Sequence, residues 1–166
     1  QLVCQVSNAA SGSHSFGLPS TAGNLLVAWV ASAGSSASAT ITTTATGWVQ
    51  ADAGGAAFIW SAVWYKPDCG AAETAPVFTD PDGPVEFSQL AEYSGAAISS
   101  PVDQHGNGYS GGGNSFWEVN PPPDADAGDL AVVAGFWNGA NSGGTITITQ
   151  FTDSTGADIT PTLQQT

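Results

Sequence analysis

The sequence predicts an all-β chain folded as a single-domain antiparallel β-sandwich, jelly-roll or Ig-like in connection. Three observations predict it. Apolar residues alternate or run in short blocks, with no stretch at helical spacing. Gly, Pro, Asn and Ser punctuate those blocks at near-regular intervals. The blocks themselves are rich in Val and Thr, which suit a pleated surface. The length, 166 residues, is that of one domain, read as 1–166. Hydrophobic residues make up 42% of the chain, enough apolar payload to fold rather than stay disordered.

In chain order, strands are expected at Leu2 to Ser7, Asn24 to Ser32, Ala39 to Thr44, Trp48 to Ala51 and Ala56 to Lys66. Further ones are expected at Pro76 to Thr79, Val85 to Ser94, Ser115 to Val119, Asp129 to Asn138, Thr145 to Thr152 and Asp158 to Leu163. The first lies in an N-terminal arm, 1–15. The run Asp80-Pro81-Asp82-Gly83-Pro84 is a turn, with φ preset by proline and freed by glycine. Asn120 followed by three prolines is another stop, and the Gly-rich stretch 106–114 reads as a long surface loop. Ala22-Gly23-Asn24 and Ala127-Gly128-Asp129 each place a tight turn before a core strand, closed by the Asn or Asp side chain.

Face patterns separate the strands. Val85 to Ser94 shows ordinary alternation, with Val85, Phe87, Gln89, Ala91 and Tyr93 on one face and Glu86, Ser88, Leu90, Glu92 and Ser94 on the other. Leu25 to Val30, Phe58 to Tyr65 and Leu130 to Trp137 are apolar on both faces. A two-layer sandwich hides only one face of each sheet. The second face is therefore expected to be covered by loops, by a ligand or by another subunit.

The charge balance is extreme. One Lys or Arg against 14 Asp and Glu gives a formal charge of −13. No basic set exists to displace counterions from phosphates, so nucleic acid is excluded as a partner. The longest apolar run, Leu25 to Ala31, is far too short to span a bilayer, so no membrane insertion is expected. Cys4 and Cys69 are either buried thiols or one disulfide. The disulfide is the expectation, since the composition has an extracellular character. It would close a long loop and contribute on the order of 4 kcal/mol.

The order of short blocks carries a resemblance. LPSTAGNLLVAWV, GW, WYKPDCGAAE, AEYSGAAISSPVD and AGDLAVVAG follow one another between Phe16 and Trp137. This order resembles that of a widespread family of bacterial and phage surface modules. The resemblance implies a jelly-roll-like β-sandwich on secreted proteins, polysaccharide-active enzymes or virions, acting as a non-catalytic appendage or structural piece.

Chemistry-bearing patterns are sparse. Gly108-Tyr109-Ser110-Gly111-Gly112 matches a nucleophile-elbow pattern, but glycine-rich flanks replace the strand and helix that the elbow needs. His14 and His105 lack partners at metal-ligand spacing. Glu86 and Glu92 share a strand face but lie roughly 20 Å apart, too far for paired-carboxylate glycoside hydrolysis. Calcium is the most plausible ion, through Asp124, Asp126 and Asp129 or through Asp80 and Asp82, where carboxylates alternate in a loop. No other cofactor is implied. Phe58, Trp60 and Trp64 form one strand-face row, with Tyr109 and Trp117 available from a loop. They serve a sugar or a protein interface if exposed, and the core if not.

The function expected from these residues is that of a non-enzymatic extracellular, cell-surface or virion-surface module for structure or attachment. It would self-assemble, as a homo-oligomer or with other surface subunits, through apolar sheet faces and strand edges. The N-terminal segment Gln1 to Ser7 is the natural strand to donate to a neighbour. The alternative is a carbohydrate-binding module with an aromatic platform for a polysaccharide.

Overall fold

A computed structural model describes residues 2–8, 19–32, 40–56, 59–82, 85–102 and 105, with backbone alone at 2–8, 56, 59, 86 and 87. Every regular element among them is a strand. In chain order these are β1 (Leu2–Asn8), β2 (Leu25–Ser32), β3 (Thr42–Thr43), β4 (Val49–Ala56), β5 (Ile59–Lys66), β6 (Phe78–Thr79) and β7 (Val85–Tyr93). They form a five-stranded sheet, ordered β1-β7-β2-β5-β4, and a two-stranded sheet, β3-β6. All pairings are antiparallel. The expected all-β, antiparallel character is therefore present, in an arrangement consistent with a β-sandwich. The expected strands at 115–119, 129–138, 145–152 and 158–163, and the 106–114 loop, lie outside the described residues.

Strand β2 occupies the centre because its sequence leaves it no other place. LLVAWVAS is apolar on both sides, and all eight residues are buried. A strand with two apolar faces is stable only between neighbours and under cover on both sides. One face packs Ala28 and Val30 with Ala62 of β5, Val85 and Leu90 of β7, and Ile41 and Phe78 from the small sheet. The small sheet thus lies over this face. Phe78 fills the seam, 2% exposed, with its ring 6.0 Å from Trp48 in an edge-to-face contact and 5.9 Å from Trp64. The opposite face gathers Leu25, Val27, Trp29 and Ala91, with Val63, Tyr65, Tyr93 and Ala96 against them. β2 is therefore buried on both faces, and the residues set against the second one are its neighbours in the same sheet together with Ala96.

Two expectations are corrected. Chain 52–56 continues β4 through Gly54 and Gly55, where the sequence reads as a break, because each residue is paired with β5, Gly54 opposite Ser61 and Gly55 opposite Trp60. In β7 the expected half-buried alternation gives way to burial on both faces, with Ala91 2% exposed on one side. Ser88, Leu90 and Glu92 are at most 2% exposed. A register shift opposite Ala31 and Ser32 re-aims the strand, so that Val85 joins Leu90 in the seam instead of following the alternation.

β1 pairs with β7 of its own chain, Cys4 opposite Glu92. The N-terminal strand is thus seated on a strand of its own chain. Among the described residues, no helix is long and apolar enough to cross a membrane.

Candidate functional site

The densest set of chemistry-bearing side chains caps one end of the large sheet. It is assembled from four short blocks: TAGN before β2, TGW before β4, KPDCGAAE after β5, and AEY at the end of β7. Each enters for a local reason. Gly23 has φ +85, which lets the chain turn sharply into β2, and the turn closes with the Asn24 amide donating to the Thr21 carbonyl at 3.3 Å. The loop after β5 crosses this turn. Gly23 N–H donates to the Cys69 carbonyl at 2.8 Å, and Cys69 N–H donates to the Asn24 carbonyl at 2.9 Å.

Glu92 is the hub. It is 2% exposed, and its Oε1 accepts from Thr21 N–H at 2.8 Å and from the Asn24 side-chain amide at 2.6 Å. A buried carboxylate without donors would be very costly, and these two satisfy one of its oxygens. The Asn24 side chain therefore reaches across to β7 rather than closing its own turn, as the sequence suggests.

The chain's one cation lies in the same cap. Lys66 Nζ meets Glu73 Oε1 at 2.8 Å and donates to the Thr46 carbonyl at 3.1 Å. Its stem runs past Gly47, where an added Cβ would stand 3.2 Å from Lys66 Cε. Gly47 also has φ +84. Glu73 Oε1 accepts a second bond, from Gly70 N–H at 2.7 Å. The Lys66 and Gly70 hydrogen bonds hold the Glu73 carboxyl below the usual glutamate range. Ser20 completes the network, donating to the Gly70 carbonyl at 3.0 Å and accepting from Glu73 N–H at 2.7 Å.

Cys69 is a free thiol, 1% exposed, with Sγ donating to the Thr21 carbonyl at 3.1 Å. This corrects the expected Cys4–Cys69 disulfide: the Cys69 sulfur is engaged inside the cap. Burial pushes its pKa up, which keeps it protonated and a poor nucleophile. Asp68 and Ala72, on either side of it, are held at φ 47 and 54, left-handed conformations that the surrounding hydrogen bonds sustain. Each reactive group of the cap is thus held by a neighbour, and the arrangement works as a clasp.

The other expected site residues fall elsewhere. Asp80 accepts from the Ser32 hydroxyl through Oδ2, and its Oδ1 accepts from Asp82 N–H at 2.9 Å, an Asx turn. Both oxygens are engaged in holding the turn. Among the described residues no group of three or more His, Cys, Asp or Glu side chains is arranged to hold a metal. Trp60 and Trp64 pack half-buried against the seam, so the row they form lines the core rather than an open platform. His105 is exposed, with Nδ1 3.1 Å from Asp52 Oδ2. Asp124, Asp126, Asp129, Phe58, Tyr109, Ser110, Trp117 and His14 lie outside the described residues.

Three buried polar atoms have no hydrogen-bond partner among the described residues: Trp29 Nε1, Trp64 Nε1 and Ser88 Oγ. Trp29 belongs to one face of the sheet and Trp64 packs against the other.

Sequence reasoning missed Lys66, Glu73 and Glu92 as cap residues. Two signals pointed there. A lone cation in so acidic a chain has every reason to be paired, and Glu73 lies across one short loop from it. The asparagine before β2 is also a strong donor at a sheet end.

Comparison with protein-family models, with curated proteins and with solved structures found no match.

Proposed function

We propose that this chain is a non-enzymatic structural or attachment module, a jelly-roll or Ig-like sandwich carried at a cell surface, outside the cell or on a virion. The observation that carries the reading is the cap. The blocks TAGN, GW, KPDCGAAE and AEY, whose order resembles that of surface modules, meet in a hydrogen-bonded clasp, with their reactive side chains engaged in holding the fold. Their role is thereby architectural.

Docking on neighbouring subunits then falls first to strand edges, because β2 is buried on both sides. The outermost strands of the described sheet, β1 and β4, contain no Lys, Arg or Pro, the residues that commonly protect an edge. Each carries a register shift, which confines the straight edge to part of the strand. A formal charge of −13 opposes association at low ionic strength. Screening shortens from about 10 Å at 0.1 M salt to about 3 Å at 1 M.

Sedimentation across protein concentration, from low to molar salt, tests this. The expected outcome is a mass that rises with both. A strict monomer throughout would overturn self-assembly. A monomer whose tryptophan fluorescence changes on titration with soluble polysaccharide would put carbohydrate binding in its place.

A further inference from the structure

We draw no further inference here: the strongest candidate, the second apolar face of the five-stranded sheet around Leu25, Val27, Trp29 and Ala91 with its unpartnered Trp29 indole N–H, carries none because nothing among the described residues shows what covers it.

Discussion

The cap and the seam are both buried, yet they hold the molecule in different ways. The seam is apolar and non-directional. Phe78 and Ile41 meet Ala28, Val30 and Leu90, and what matters is area removed from water and close packing. The cap is polar and directional. Its bonds join residues far apart in sequence, Thr21 and Asn24 to Glu92, and Ser20 to Gly70 and Glu73. A seam tolerates small slides between its strands, whereas a cap does not. Slipping β7 by one residue against β2 would turn Glu92 to the other face. Thr21 N–H and the Asn24 amide would then lose their acceptor. The seam accounts for compactness and the cap for register, and Trp48 with Gly47 ties the two together. Gly47 packs on Lys66 in the cap, while the neighbouring Trp48 ring meets Phe78 in the seam.

The sharpest way to break the seam is Phe78→Ala. It removes the ring shared by Trp48 and Trp64 and leaves a cavity, at a cost of about 3–5 kcal/mol. Denaturant titration should show that loss together with an altered native tryptophan emission. A loss below about 1 kcal/mol would mean the small sheet is not integral to the core.

Lys66→Met tests the electrostatic part of the cap and should cost about 1 kcal/mol, since the ion pair is partly solvated. Its pH signature is more specific. Glu73 has a lowered folded-state pKa, so its contribution is present above the ordinary glutamate value of about 4.3 and is lost as pH falls through the folded value. Lys66→Met should flatten that acid limb, because the Lys66 bond is the main cause of the shift. Cys69 has a raised pKa, so its contribution is lost on the alkaline side instead, as pH climbs from the ordinary thiol value of about 8.5 towards the folded one. Thermal melts of wild type and variant across pH resolve the two limbs. An unchanged acid limb in Lys66→Met would contradict the pairing.

The smallest effect is a gain. Ala72 is exposed and held at φ 54, a conformation that glycine adopts without penalty. Ala72→Gly should stabilise by roughly 0.5 kcal/mol, the relief of strain exceeding the added freedom of the unfolded chain. A loss of similar size would show that the loop is not strained.

The seam was more legible in the sequence than the cap. LLVAWVAS announces a central strand by being apolar on both faces, and IWSAVWYK announces its partner. Local reading failed where pairing overrode propensity. Asp52, Gly54 and Gly55 look like a turn but run as strand, because β5 supplies a complete ladder opposite them. It failed again in β7, where both faces are buried and a register shift brings Val85 to the side of Leu90, and no residue type marks that shift. The cap was hidden for a different cause. Glu92 reads as one of two acids on a face of an alternating strand, and only the fold brings Thr21 and Asn24 to its carboxylate. The Gly23 turn itself was readable, because a glycine before an asparagine at a strand start has few other uses.

The central claim, that the clasp between the turn before β2 and the end of β7 holds the sheet in register, is tested most directly by a double-mutant cycle on Asn24 and Glu92. The variants Asn24→Ala, Glu92→Ala and the pair are measured by denaturant unfolding. A 2.6 Å bond to a buried carboxylate predicts a coupling of about 1.5–2 kcal/mol, with the double variant losing less than the two single losses combined. Losses that simply add, to within about 0.5 kcal/mol, would contradict the account.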